Sequence, residues 1–165
     1  MKTSVVSALI LACLPAASLA MDQHVVWQPD ALKWGAAPPS LPPGSEVAVL
    51  YGDPSGAGPY AVRVRMPADY KVPPHTHPTA ENLTVISGTF NVGMGGTLDT
   101  TKSEAMGPGA FARMDKGMQH YAWSTGPTII QINGMGPFEI TYVNPADDPR
   151  NKATKAPGDT TTGSK

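Results

Sequence analysis

A chain of 165 residues, 41% of them hydrophobic, is long enough for one domain with a sizeable core. Its 12 basic and 13 acidic residues give a net charge of −1, which leaves no positive excess for binding nucleic acid or an anionic membrane. A single cysteine excludes a disulfide framework within the chain, so stability must come from the core.

Residues 1–20 have the pattern of a secretory signal peptide. Lys2 precedes an apolar run over residues 5–14, and small residues lead up to Met21. The run is too short to span a membrane, which takes roughly 20 apolar residues. We therefore expect cleavage near Met21 and a periplasmic or secreted protein without a membrane anchor. Cys13, inside this segment, offers the alternative of a lipid-attachment site.

Composition divides the rest of the chain into three segments. Residues 21–44 are rich in proline and predict an ordered arm that lies over the domain. Residues 45–143 contain short apolar runs separated by turn residues and predict the folded β-domain. Residues 144–165 lack large apolar side chains, which is typical of a flexible tail.

Regularly spaced short strands are predicted throughout the middle segment. In the run from Tyr60 to Met66, apolar residues alternate with Ala61, Arg63 and Arg65 at the period of two expected for a half-buried strand. The 17 glycines and 18 prolines place turns between such runs. The pattern favours an all-β fold, either an antiparallel sandwich or a barrel.

The most specific chemical signal is a group of histidines and one glutamate. His75 and His77 are separated by one residue, so on a strand their side chains point the same way. Glu81 begins the next apolar run and shares a face with Leu83. Because a first-row transition metal needs further ligands, a distant strand must supply one, and His120 is the candidate.

The spacing of these residues resembles that of a single-domain cupin. The first cupin motif has glycine, five residues, His-X-His, three or four residues, glutamate, six residues and glycine. His75, His77, Glu81 and Gly88 fit it, whereas Asp69 stands at the leading glycine position.

The second cupin motif is also present with changes. It has glycine, five residues, Pro-X-Gly, two residues, histidine, three residues and asparagine. Gly109, Gly117 and His120 fit, while Asp115 replaces the proline and Ser124 replaces the asparagine. None of the departures affects a ligand position, and the resemblance covers roughly residues 47–142.

The resemblance implies a double-stranded β-helix, or jelly-roll barrel, that holds one divalent transition metal. The implied ligands are His75, His77, Glu81 and His120, and the sequence leaves Fe, Mn, Ni, Co, Cu and Zn open. Residues expected to face the interior near the metal form a candidate substrate pocket: Val62, Val64, Leu83, Phe90, Met118 and Ala122. No tyrosine or arginine has an evident place on the inner face, and the catalytic residues stay unassigned.

Three functions remain open at this point, because similar cupins include enzymes and binding proteins. The first is a metal-dependent enzyme, oxidoreductase or dioxygenase-like, that acts on a small oxygen-rich molecule. The second is a non-catalytic periplasmic module or sensor that binds a metal or small ligand. The third is a structural domain that forms a homodimer through its sheet edges. The expected partner in the first two is a small molecule, with no nucleic acid.

Overall fold

The computed structural model describes residues 24–153. The predicted signal peptide at residues 1–20, and residues 154–165 of the predicted tail, lie outside the described part of the chain. Its eleven strands are β1 (Gly35–Ala36), β2 (Glu46–Tyr51), β3 (Gly58–Met66), β4 (Lys71–Thr76), β5 (Glu81–Ser87), β6 (Phe90–Met94), β7 (Glu104–Met106), β8 (Phe111–Met114), β9 (His120–Ser124), β10 (Thr128–Gly136) and β11 (Thr141–Tyr142). Short helical segments are the 3₁₀ turns Pro29–Ala31, Thr100–Lys102 and Pro145–Asp147 and the helix α1 (Pro149–Ala153).

The strands form two antiparallel sheets with the core between them. One sheet has the order β1-β2-β3-β10-β5-β8 and the other β11-β4-β9-β6-β7. Neighbours in these orders are mostly distant in sequence, as in a barrel whose strands cross repeatedly between the sheets. This arrangement confirms the predicted double-stranded β-helix.

The alternation in β3 explains its central place in the larger sheet. Tyr60, Val62, Val64 and Met66 are all buried, and the strand pairs with β2 on one side and β10 on the other. Residues at every second position line one face of a strand, so these four side chains enter the core together.

A β-bulge in β4 determines which of its residues face the interior. Val72 pairs with Ala122 of β9, and three residues later His75 pairs with His120, only two residues away from Ala122. The extra residue falls at Pro73–Pro74, where neither residue has an N–H for the ladder. Even-numbered Val72 and odd-numbered His75 therefore both face inward.

The N-terminal arm is joined to the barrel, and part of it belongs to the sheet. Its strand β1 pairs with β2. Two core tyrosines also hold the arm: Tyr142 donates a hydrogen bond to the Ser40 carbonyl at 2.8 Å, and Tyr70 donates one to the Pro42 carbonyl at 2.5 Å. Within the predicted arm, the strand β1 therefore extends the larger sheet to residues before 45.

The first ten residues of the segment predicted to be a flexible tail, 144–153, contain regular structure. Asn144 accepts a hydrogen bond from Ala146 N–H and begins a 3₁₀ turn, which α1 follows. Arg150 pairs with Asp148 and donates to the Ile140 carbonyl, so polar contacts replace the missing apolar ones.

In the part of the chain that the structure describes, no helix is long and apolar enough to cross a membrane.

Candidate metal centre

Three buried histidines converge at one end of the barrel interior. The ring centroids of His75 and His120 are 4.2 Å apart, and those of His77 lie 4.9 Å from His75 and 5.2 Å from His120. One ring nitrogen from each lies within 4.8 Å of those of the other two. The sequence prediction that His120 joins the His75–His77 pair agrees with this geometry.

Glu81 completes the cluster from β5. Its Oε2 lies 3.5 Å from His77 Nε2 and 3.4 Å from His120 Nε2. Glu81 is 5% exposed, so its carboxylate is surrounded by the imidazoles and the barrel interior rather than by solvent. Coordination of a metal by Glu81 remains a prediction, which this approach to two of the three histidines supports.

Each imidazole is oriented by a main-chain carbonyl. Nδ1 of His75 lies 2.8 Å from the Pro73 carbonyl, Nδ1 of His77 lies 2.7 Å from that of Glu139, and Nδ1 of His120 lies 3.0 Å from that of Met118. A carbonyl oxygen can only accept, so Nδ1 carries the proton in all three rings. In the neutral rings Nε2 then keeps its lone pair, which is the state a metal ligand needs.

The donor set fits a divalent transition metal. His77 Nε2 is buried and has no hydrogen-bond partner among residues 24–153, an arrangement that costs free energy unless an ion or proton satisfies it. Three imidazole nitrogens suit Fe, Mn, Co, Ni, Cu and Zn. The residues could therefore hold one such ion, whose identity they do not select.

The protonation states of the cluster follow from burial and mutual contact. Burial, together with His120 and His77, lowers the pKa of His75 to about 3, so this ring is neutral. Burial also acts to lower the pKa of His77, but the facing Glu81 outweighs it and the pKa is raised. For Glu81 burial favours the acid, yet the two facing histidines hold its pKa below the ordinary value, and it stays a carboxylate.

An apolar cavity extends from the cluster into the barrel. It has a volume of about 40 Å³, and its walls come from both sheets and from Leu41 of the arm. The remaining wall residues include Val72, Tyr70, Phe138 and Ile140. Any ligand that reaches the histidines therefore meets an apolar surface on the opposite side.

Four of the six predicted pocket residues line this cavity. They are Val64, Leu83, Phe90 and Ala122. Val62 is instead part of the core and is absent from the cavity wall. Substrate contact by any of them stays a prediction.

Met118 departs from the expectation of an inward-facing side chain. It precedes β9 and donates its N–H to the Asp115 carbonyl in a turn that contains Gly117, so the alternation of the strand has not yet begun. The side chain is 41% exposed. Its contribution to the site is the main-chain carbonyl that orients His120.

Two aromatic residues near the cluster were missed by sequence reasoning. The Phe138 ring stacks on His77 with the centroids 4.7 Å apart and an interplanar angle of 24°. Tyr60 packs against Phe138 at 5.8 Å. The alternation of β3 already placed Tyr60 on the apolar face, and that signal could have identified it as an inner tyrosine.

Asp69 and Ser124 show how the barrel accommodates two departures from the cupin motifs. Asp69 has φ of +57°, in the left-handed region where glycine is usual and Asp is tolerated better than most residues. Ser124 Oγ donates to the Pro67 carbonyl at 2.6 Å and accepts from Tyr70 N–H at 3.2 Å. Both residues therefore fix the turn before β4, which carries His75 and ends one residue before His77.

Comparison with known proteins gives a family and a fold. A family model described as the ChrR cupin-like domain matches residues 22–139. No match was found among curated protein sequences.

Solved structures with the same fold are distant in sequence. The polyketide cyclase RemF from Streptomyces resistomycificus is 18% identical with a TM-score of 0.59, and the match covers 81% of this chain and 94% of RemF. A putative acetylacetone dioxygenase from Methylibium petroleiphilum PM1 is 16% identical with a TM-score of 0.59, over 77% of this chain and 85% of that one. An oxalate oxidase is 22% identical with a TM-score of 0.53, over 84% and 72%. At these identities the likeness shows the fold alone.

Proposed function

The chain belongs to the ChrR cupin-like domain family, and from that premise we propose that it is a metal-dependent oxidoreductase, dioxygenase-like, acting on a small oxygen-rich molecule. One observation carries the proposal: three buried imidazoles, each with Nδ1 held on a carbonyl, converge beside a buried carboxylate in the wall of an apolar cavity. Both the presence of a bound metal and the type of reaction are proposed.

The protein residues have separate roles at such a centre. A first-row metal held by His75, His77, His120 and Glu81 would keep positions for substrate or dioxygen and would supply redox or Lewis-acid chemistry. The carbonyls of Pro73, Glu139 and Met118 fix the ring tautomers. The single carboxylate leaves a divalent site with net positive charge, which attracts anionic ligands.

The cavity restricts the size of the substrate. Its 40 Å³ compares with roughly 10–15 Å³ for one water and roughly 300–1,000 Å³ for pockets that take drug-sized ligands. Without movement of the walls, only a few non-hydrogen atoms fit. The size favours short carboxylates and small diketones over catechols and flavonols.

Oxygen uptake tests this proposal. We would load metal-free protein with Fe(II) or Mn(II) and offer short dicarboxylates, small diketones, catechols and flavonols, with His120→Ala as the matched control. Consumption of oxygen with the small substrates, absent in the variant, is the expected result. No turnover with any metal and any substrate would overturn it.

A second candidate is a non-catalytic module that binds a metal or a small ligand. Its support is the apolar character of the cavity wall, where apart from the cluster only Tyr70 has a polar side-chain group, and that hydroxyl is engaged by Pro42 and Ser45. Calorimetric binding of a small anion by the metal-loaded protein, with no product detected by mass spectrometry, would favour this function over the enzyme.

We also propose that the protein works in the periplasm or outside the cell. The support is the signal-like pattern of residues 1–20. Mass spectrometry of protein recovered from the periplasm should give a chain that starts near Met21. A cytoplasmic protein that retains residues 1–20 would contradict this localisation.

A further inference from the structure

The hydroxyl of Tyr60 is a buried polar group without a partner. The residue is 2% exposed, and its Oη has no hydrogen-bond partner among residues 24–153. An unsatisfied buried hydroxyl costs about 1–3 kcal/mol, so a native structure that keeps one calls for an explanation. A phenylalanine would fill the same space without that cost.

Strand pairing places Tyr60 and Glu81 on either side of Gly134. In β10, Gly134 pairs with Tyr60 of β3 and with Glu81 of β5. Directly paired residues point to the same face of a sheet, so both side chains face the barrel interior. Their strands are two spacings of about 4.8 Å apart, so the phenol has to extend over β10 to approach Glu81.

The absence of a side chain at Gly134 lets the phenol lie across β10. A Cβ built on Gly134 would come within 2.8 Å of Tyr60 Oη and 3.1 Å of Cζ. The hydroxyl end of the ring therefore occupies the space above the glycine, on the way to Glu81. A larger residue at position 134 would push it out.

The chemistry of the two groups is complementary. Burial and the charge of Glu81 raise the pKa of Tyr60 well above 10, so the phenol keeps its proton and can donate. Glu81 turns Oε2 towards His77 and His120, which leaves Oε1 to accept. Phe138, between the Tyr60 ring and His77, closes this side of the cluster.

We propose that Tyr60 is a positioning residue, whose phenol O–H donates a hydrogen bond to Oε1 of Glu81 when that carboxylate binds the metal. The inference rests on the proposed metal site. Carboxylate ligands are commonly held by a hydrogen bond to their second oxygen, and loss of such a partner typically weakens metal affinity by about 10–100-fold. Gly134 has no side chain that would keep the phenol from approaching Glu81.

Tyr60→Phe tests the proposal by removing only the hydroxyl. We expect the metal dissociation constant, measured by competition with a chromophoric chelator, to rise about 10-fold or more. The melting temperature of the metal-free variant should stay the same or increase, because an unsatisfied hydroxyl has been removed. If the hydroxyl had only a structural role, the metal dissociation constant would stay unchanged and the melting temperature would fall.

Two further variants make the test specific. Gly134→Ala should weaken metal binding as Tyr60→Phe does, since its methyl group displaces the phenol. Tyr121→Phe is the matched control: Tyr121 is also buried, but its hydroxyl donates to the Asp99 carbonyl at 2.8 Å. It should lower stability and leave metal affinity unchanged.

The outcomes separate this inference from the proposed function. Wild-type protein that binds metal while Tyr60→Phe binds it equally well would overturn the role of Tyr60 alone. Wild-type protein that binds no transition metal would overturn the metal site and the role of Tyr60 with it. A tyrosine absorption change on metal binding, present in wild type and lost in Tyr60→Phe, would give direct support.

Discussion

Asp69 and Ser124, the residues that replace a glycine and an asparagine of the cupin motifs, are joined by a hydrogen bond. Asp69 N–H donates to the Ser124 carbonyl at 2.9 Å. The bond connects the turn before β4 to the end of β9, and these two strands carry His75 and His120. The departures from the motifs thus occur together, at one support of the histidine cluster.

Substitutions at this support should have unequal effects on stability. Ser124→Ala leaves the Pro67 carbonyl and Tyr70 N–H without their side-chain partner, and we expect it to lower the free energy of unfolding by about 1–3 kcal/mol. Asp69→Gly removes the strain of a left-handed backbone at a residue with a side chain. We expect it to raise the free energy of unfolding by no more than about 1 kcal/mol. Urea denaturation of metal-free protein measures both. Equal losses in the two variants would contradict this assignment.

Loss of a ligand should weaken metal binding. Protein purified from its native compartment is expected to carry roughly one equivalent of transition metal by elemental analysis, and His120→Ala or Glu81→Ala should reduce affinity by about 10-fold or more. Metal at 100 times its dissociation constant should stabilise the wild type by about 2.7 kcal/mol, an increment that chelator removes. His24→Ala, at an exposed position of the arm, is the control. Unchanged metal content in His120→Ala would refute the site.

Filling the cavity should separate ligand binding from metal binding. Ala122 lines the cavity two residues after His120, so Ala122→Val reduces the space beside the metal without removing a ligand. We expect metal content to persist and binding of a short carboxylate to weaken by about 10-fold, which corresponds to 1.4 kcal/mol. Ala105→Val, on the exposed edge strand β7, supplies the comparison. Isothermal titration calorimetry of both variants measures their affinity for the carboxylate. Equal affinities would show that the ligand binds elsewhere.

The core beneath the site should be sensitive to truncation. Leu83 is 1% exposed and lies on the Glu81 face of β5, so Leu83→Ala is expected to lower the free energy of unfolding by about 2–5 kcal/mol. Ile86, on the same strand, is 37% exposed. Ile86→Ala should therefore lower the free energy of unfolding by less than Leu83→Ala does. Chemical denaturation gives both values, and a similar loss in the two would show that the face assignment is wrong.

Local patterns in the sequence were sufficient for the fold class and the cluster. The alternation from Tyr60 to Met66 predicts a half-buried strand, because alternate side chains of a regular strand share a face. The same rule predicts that His75 and His77 point the same way and that Glu81 shares a face with Leu83. The same reasoning did not anticipate the turn at Met118 before β9, or the polar contacts within residues 144–153, a segment of tail-like composition.

Pairing between distant strands decided the rest. The bulge at Pro73–Pro74 turns His75 inward only because β4 pairs with β9, and the small size of the cavity follows from where the walls and the arm meet. Tyr60 reaches towards Glu81 only because Gly134 of β10 lies between their strands. These contacts depend on register between segments tens of residues apart, which no periodicity within a single segment encodes.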